Sequence, residues 1–558
     1  MIALAQKSDR THVALGAEML THLRELYSGG RRYSRGLREF LSESIDLDGA
    51  RRLLKQLNES RVELFLQLLE RGIYANAASP YRRLLLHSGF ELEDVRSLVH
   101  EFGLEGALER LRTEGVYVSL DEFKGRAPIR RSGLEFEVTD RDFDNPLLTP
   151  HYRGTTSGSR SAGTRLEIDF EFIANDTLGS VVALATNGVI DRPIIVAQAS
   201  PPSLHGLKTV FRLARMGSPP KKWFSANRPG WNRQGLEGRA LTIYTLIASR
   251  LHGHRLPRPR HPEPAGIAGY LARAVRHGVP LLVYAVPSQA VRICLSAEKM
   301  GMDIRGTAFF GGGEPYTAGK EEVLRRVGAE MMPSYGMNEC GQLSYRCGEP
   351  VSRDDMHVMR DKVAMLLVPL EVAPGSEVGA LFHTSLIPSA PKLMLNVESG
   401  DYAVMEEREC GCLFQALGYT THIREVRSYE KLTSEGVMFM GSMLHELLEE
   451  RLPARFGGNV TDYQLVEEED EGLPRVSIVV SPRIGPVDEE AVKQLLIDSV
   501  GFADWSRRMA DQWRKAGTLR VERRQPYATS SSKILPLHVL SQPSSTLRES
   551  AQTDDQSG

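Results

Sequence analysis

Between about residues 190 and 385 the sequence breaks into short apolar runs separated by glycine and proline, and this texture restricts the fold more than any other feature of the chain. The runs are RPIIVAQAS, VPLLVYAVPS, GTAFFGGGEP, AEMMPSYG, AMLLVPLEV and GALFHTSL. Helical stretches such as KEEVLRRVG lie between some of them. Buried strands alternating with helices predict a layered α/β domain. Ligands of such sheets sit beyond the carboxyl ends of the strands, where glycine-rich loops gather.

The flanking segments read differently. From about residue 12 to 118 apolar residues recur at helical spacing, and Leu53, Leu54, Leu57, Leu64, Leu68 and Leu69 are expected to form one packing stripe. The stretch Arg250 to Pro264, with four prolines and several basic residues, reads as a solvated connector. After about residue 430 a smaller unit is expected, with a helix around GSMLHELLEERL, a strand PRVSIVVSPR, a helix DEEAVKQLLIDSV and a strand TLRVERRQPY. The expected division is a large domain over 1–428, mostly helical over 1–120 with the binding core over 150–428, then a small α+β domain over 429–540. Residues 541–558 are polar and small, and are expected to be a disordered tail.

Composition narrows the class of partner. The 558 residues carry 69 basic and 71 acidic side chains, so no global basic field exists to hold nucleic acid or an anionic membrane. No run approaches the length of a membrane span. Five cysteines, an odd and small number, are unlike a secreted disulfide framework, and the N-terminal MIALAQKSDRTH lacks a secretory pattern. A cytoplasmic location is the expectation. Only 14 of the basic residues are lysines. A lysine in a special context therefore stands out.

Seven segments carry chemistry. HYRGTTSGSRSAG (151–163) offers Thr155, Thr156, Ser157, Gly158 and Ser159, hydroxyls and free amides able to wrap a polyphosphate, although alone such a stretch is more often an ordinary loop. The others are PPSLHGL with His205, FFGGGEPY with Gly312, Gly313 and Glu314, PSYGMNECG with Tyr335, Gly336, Asn338 and Glu339, VESGDYAV with Asp401, and REVRSYEKLTSEG with Arg427; QPYATSSSKILP with Lys533 closes the series. In this order they resemble the adenylate-forming superfamily of acyl-CoA synthetases, peptide-synthetase adenylation domains and luciferases, and most of all its phenylacetate-CoA ligase and acyl-protein synthetase branch. The resemblance covers about residues 150 to 537.

The resemblance implies roles. The hydroxyl loop would hold ATP phosphates; His205 would stand beside the acyl pocket; Gly312, Gly313 and Glu314 would turn against adenine. Tyr335 would stack on adenine, and Glu339 would hold Mg2+, a hard cation suited to carboxylate and phosphate oxygens. Asn338 stands where the family has threonine. Asp401 would accept both ribose hydroxyls, Arg427 would bind ribose or phosphate, and Glu430 or Lys431 would be the hinge. Lys533 would be the catalytic lysine of a mobile lid, with Ser532 in place of the usual glycine. Separately, Cys410 and Cys412 bring two thiolates near one tetrahedral metal, and Cys347 with His357, or Cys340, would complete a structural zinc site. The alternative is unligated buried thiols.

The expected activity is a two-step ligation. A small carboxylic acid attacks the α-phosphorus of Mg-ATP, pyrophosphate leaves, and the acyl-adenylate passes its acyl group to a thiol, with CoA the expected acceptor. The competing readings are an amine or carrier-protein acceptor, and a catalytically silent nucleotide-binding relative. A homodimer is expected only by analogy.

Overall fold

The computed structural model describes residues 29–155, 165–225, 231, 233–373, 376–431, 438–440, 444–470, 473–500, 519–529 and 533–540. The hydroxyl-loop residues Thr156, Ser157, Gly158 and Ser159 and the tail 541–558 lie outside them.

Two hairpins, β1 (Ile129–Arg131) with β2 (Leu134–Phe136) and β3 (Tyr152–Thr155) with β4 (Arg165–Ile168), precede a thirteen-stranded sheet. Its parallel half contains β5 (Ile194–Ala197), β6 (Lys222–Phe224), β7 (Pro259–Arg260), β8 (Leu282–Ala285), β9 (Ala308–Gly312) and β10 (Glu330–Met337), in spatial order β7-β6-β5-β8-β9-β10. Beyond β10 the sheet is antiparallel. It adds β11 (Gly341–Arg346), β12 (Met356–Val358), β13 (Val363–Ala373), β14 (Ser376–Ser385), β15 (Val397–Glu407), β16 (Thr421–Lys431) and β17 (Met438–Met440), in order β11-β12-β16-β15-β14-β13 with β17 on β16.

The parallel half follows the expected logic. Ile194, Val196, Leu282, Tyr284, Ala308 and Phe310 enter one apolar cluster, whereas Ile195, Ala197, Val283, Ala285 and Phe309 enter another on the opposite face. Both faces are covered, which is why these strands read as continuous apolar runs. On the first face lies the helix Phe170–Thr186, apolar nearly all round and mostly buried. A Cβ on its Gly179 would come within 2.5 Å of the Tyr345 ring, so glycine permits this close approach to β11. AMLLVPLEV and GALFHTSL depart from the βα alternation: they form the antiparallel pair β13 and β14. Ala373 and Ser376 are too close in sequence for the crossover that parallel strands require.

The N-terminal stripe also divides. Helix Leu47–Glu59, capped by the Asp46 carboxylate on the Gly49 amide, ends at Ser60, and a new helix starts at Arg61. Leu54 packs into the first cluster and Leu68 and Leu69 into the core under the antiparallel half, while Leu53 is 43% exposed. A helix break resets the phase of a periodic pattern, so the six leucines share no single stripe. A separate four-stranded sheet, in order β20 (Leu519–Arg523), β19 (Leu473–Val480), β18 (Tyr463–Asp470) and β21 (Leu537–Leu540), packs with helix Glu489–Val500 around its own apolar cluster. Among the described residues no helix is long and apolar enough to cross a membrane.

Candidate active site

The carboxyl ends of β8, β9 and β10 open onto two cavities. The first, of about 90 Å³, lies between the strand ends and helix Leu204–Arg215, and His205, Lys208, Thr209, Arg212, Tyr284 and Asn338 are in its wall. The second, of about 210 Å³, has Glu314, Tyr335, Asp354, Asp401 and Arg427 in its wall. Gly313, Ser334, Gly336 and Lys533 border both. A ligand in one cavity meets a ligand in the other at the Lys533 ammonium.

The glycine turn after β9 is demanded twice over. A Cβ on Gly311 would lie 2.0 Å from the Ala285 carbonyl oxygen, and one on Gly312 would lie 1.7 Å from that of Ser334. These two glycines answer to the neighbouring strands. Gly313 is different: its φ is +84°, and a Cβ there would stand 2.6 Å from Lys533 Nζ. It is the seat of the ammonium. Burial pushes the Lys533 pKa down, with Glu314 and Asp401 opposing. Glu314 accepts from the Ser288 amide at 3.2 Å and from its hydroxyl, at the start of helix Pro287–Lys299. Burial holds its carboxyl above the ordinary range.

In the second cavity Asp401 on β15 faces Ser428 on β16 in register. Ser428 Oγ donates to Asp401 Oδ1 at 2.7 Å and Tyr335 OH to Oδ2 at 2.8 Å. Burial raises the Asp401 pKa although both donors and Lys533 act to lower it. Arg427 Nη1 pairs with Asp354 at 3.2 Å. Glu430 and Lys431 lie within β16, their backbones in register with Phe439 and Met438 of β17.

Glu339 borders neither cavity. It is buried behind them, with Lys124 Nζ donating to its Oε1 at 2.7 Å. Burial raises its pKa, and the Lys124 charge and hydrogen bond outweigh that, so the net direction is down. Asn338 borders the first cavity, as does His205, whose pKa is pushed down to about 3 by burial and then by the cations Lys533, Lys208 and Arg212. Thr155 occupies the end of β3, in register with Arg165, whose guanidinium is taken by Glu167 at 2.9 Å.

Sequence reasoning singled out His205 but missed Lys208, Thr209 and Arg212 beside it. His205, Lys208, Thr209 and Arg212 have spacing i, i+3, i+4, i+7, one face of a helix. That polar stripe inside HGLKTVFR was legible but passed unread. It also missed the ionic chain from the glycine turn to the C-terminal unit: Lys320 lies 3.9 Å from Glu314 and 3.0 Å from Glu449, which also takes His445 at 2.9 Å and the Thr317 hydroxyl.

The Cys/His cluster assembles with one change. Donor atoms of Cys347, His357, Cys410 and His422 all lie within 4.8 Å of one another. Cys412 Sγ is 3.1 Å from His357 Nε2. His422 was not foreseen; pairing of β12 with β16 sets it opposite His357. Its Nδ1 is bonded to the buried Asp355 carboxylate at 2.8 Å, and its Nε2 is buried without a hydrogen-bond partner. A carboxylate that orients an imidazole and leaves the other nitrogen bare is the usual outer support of a zinc ligand. The thiol and imidazole donor set fits zinc. Cys340 is elsewhere, buried near the Lys362 carbonyl.

Comparison with solved structures identifies the fold. The chain aligns with a crystal structure of 2-hydroxyisobutyryl-CoA ligase in the postadenylation state, in complex with R3-HIB-AMP, at a TM-score of 0.52 and 15% identity, over 88% of this chain and 90% of that one. The chain has the fold of that ligase. A structure of the same enzyme with 2-HIB-AMP gives 0.49 at 15% identity over 91% and 92%, and ATP-bound MatB from Rhodopseudomonas palustris gives 0.39 at 14% over 67% and 66%. No protein-family model and no curated protein matches the sequence.

Proposed function

We propose that the chain activates a carboxylic acid with ATP and passes the acyl group to a thiol, most simply that of CoA. The observation that carries this reading is the meeting of two cavities at Lys533 and Gly313. ATP occupies the Asp401 side, where the carboxylate and Tyr335 hold the ribose and the adenine, and the acid occupies the His205 side. The carboxylate oxygen attacks the α-phosphorus, and the bond to pyrophosphate breaks. No general base is required, because the acid is already ionised at neutral pH. Lys533 donates to the oxygens on which charge accumulates, a stabilisation by a positioned cation in a water-poor site.

Mg2+ would enter with ATP and neutralise phosphate charge; Glu339 is assigned to it on sequence grounds, and since it borders neither cavity and its Oε1 accepts from Lys124, it would have to give up Lys124 to reach the ion. One buried carboxylate plus substrate phosphates is the ordinary donor set for this ion. The hydroxyl loop Thr155 to Ser159 is assigned to the phosphates on sequence grounds. Residues 429–540 form the lid and 1–428 the large domain, with Glu430 and Lys431 as the pivot. After pyrophosphate leaves, rotation about that pivot would withdraw Lys533 and admit the thiol, whose sulfur displaces AMP from the acyl carbon. We assign the Cys/His cluster to a structural zinc.

The test is ATP–pyrophosphate exchange with a panel of acids. Lys533→Ala is expected to abolish exchange while sparing thioester formation from a preformed acyl-adenylate. Exchange within a few fold of wild type would refute the assignment. Replacing CoA by amines or a carrier protein in the second half-reaction separates the acceptors. ATP binding without exchange on any acid would leave a nucleotide-binding scaffold.

A further inference from the structure

The first cavity is built for more than one carboxylate. Lys208 and Arg212 project from one face of helix Leu204–Arg215 into its wall, and both are more than nine-tenths buried. Buried cations are normally paired. The carboxylate that acts on both is Asp176; its Oδ1 accepts from Lys362 Nζ at 2.9 Å and from the Gln342 amide at 3.0 Å, and its Oδ2 is buried without a hydrogen-bond partner. Three cations, Lys208, Arg212 and Lys362, thus act on one carboxylate. Among the described residues neither Lys208 nor Arg212 has an ion pair. Arg212 donates only to neutral oxygens, Ser180 Oγ at 3.4 Å and Thr209 Oγ1 at 3.1 Å, and its Nε is buried without a partner. Lys208 Nζ stands 4.9 Å from the centre of the Phe172 ring.

The uncharged lining points the same way. Tyr284, Ser334, His205 and Gln342 all line the cavity, and Tyr284 OH, Ser334 Oγ, His205 Nε2 and Gln342 Oε1 are buried without a hydrogen-bond partner. Buried polar atoms are overwhelmingly satisfied in folded proteins, so a concentration of unsatisfied ones around one void marks the place of a polar ligand. The void is small. At about 90 Å³ it is well below the roughly 300 Å³ at which sites for drug-sized ligands begin.

We propose that the acid activated by this protein is a short dicarboxylate, with one carboxylate at Lys533 for reaction and the second held by Lys208 and Arg212. The inference rests on the ligase reading above. A short monocarboxylic acid would leave three buried cations sharing the one Asp176 carboxylate. A second carboxylate supplies the missing charge and accepts from the guanidinium in a geometry that suits both. Lys208, whose pKa burial has pushed down to about 8, with Asp176 opposing, would be drawn back toward the charged form by such a ligand. Lys208 and Arg212 are specificity residues on this view; the reacting carboxylate meets Lys533.

Pyrophosphate exchange with malonate, succinate and glutarate is compared with exchange on propionate, butyrate and valerate, the matched monocarboxylates. At least one dicarboxylate is expected to exceed its partner by about 10⁴-fold in kcat/KM, the scale on which a site built to bind a polar group rejects an analogue lacking it. In Lys208→Met and in Arg212→Met that ratio should fall below about ten. A monocarboxylate preferred by wild type, or a ratio that survives both substitutions in folded protein, would overturn the proposal. The wild-type ratio decides where a variant fails to fold. If no acid supports exchange, the ligase reading fails, and titration calorimetry with succinate and no ATP decides the inference instead: binding to wild type but not to Lys208→Met supports it, and no binding or equal binding overturns it.

Discussion

Gly313→Ala separates the turn's structural duty from its chemical one. The backbone at this position has φ +84°. An alanine in that left-handed region costs about 1–2 kcal/mol, because Cβ crowds the following carbonyl. The second cost falls on Lys533. The new Cβ would stand 2.6 Å from Nζ and 2.9 Å from Cε. Ordinary contact between such atoms begins near 3.5 Å, so the end of the lysine side chain must withdraw by roughly 1 Å. A flexible side chain makes that movement cheaply. The stability loss is therefore set by the backbone alone, and the ammonium stays in the protein but leaves the junction of the two cavities.

A displacement of about 1 Å in a positioned group reduces turnover on the order of 100-fold. Urea unfolding should report the 1–2 kcal/mol, and pyrophosphate exchange the 100-fold. The double variant Gly313→Ala, Lys533→Ala should exchange no more slowly than Lys533→Ala, since the alanine at 313 acts on chemistry only through the lysine. Exchange in Gly313→Ala within threefold of wild type, alongside the expected loss of stability, would refute the placement of Lys533 in the reacting geometry.

Lys320→Met leaves Glu449 and Glu314 buried without their shared cation and should destabilise the protein by about 3–5 kcal/mol, read from urea midpoints. Burial acts to raise the Glu449 pKa, but Lys320, His445 and Thr317 overcome it and hold the group at about 2 against 4.5 for the free residue. A depressed carboxyl stabilises the fold above its unfolded pKa, so this contribution is intact above about pH 5 and is lost as pH falls toward 2. Thermal midpoints of wild type should drop across that interval, and more than those of Glu449→Gln do. Protein purified without added zinc should hold one equivalent by metal analysis, and Asp355→Ala should weaken retention about 10- to 100-fold against a competing chelator. Absence of stoichiometric zinc would sink the assignment.

Much of this architecture was legible in the sequence because it is written locally. The runs of β5 and β8, and β9 as far as Phe310, are apolar since each successive residue enters a core on one face or the other. The glycine turn and the Tyr335 segment follow directly on β9 and within β10, so motif order placed them at one edge. What could not be read depends on distant pairings. His422 joins the cysteine cluster only because β16 lies beside β12. Lys124 reaches Glu339 across 215 positions of sequence. The leucine stripe failed for a local reason that pattern alone underweights: Ser60 ends one helix and starts the next.

The scarcity of lysine acquires a structural meaning. Lys208, Lys320, Lys362 and Lys392 are buried in a chain whose other basic residues are overwhelmingly arginine. A buried lysine is tolerated when a carboxylate compensates it. Lys320 has Glu449 at 3.0 Å, Lys362 has Asp176 at 2.9 Å and Lys392 has Asp144 at 2.7 Å. Lys208 breaks the series, since among the described residues it has no such partner and it alone of the four borders the first cavity. A structural lysine at that depth would bring its own counter-ion, as the other three do. One that faces a void without an anion is placed for an anion that arrives with the substrate.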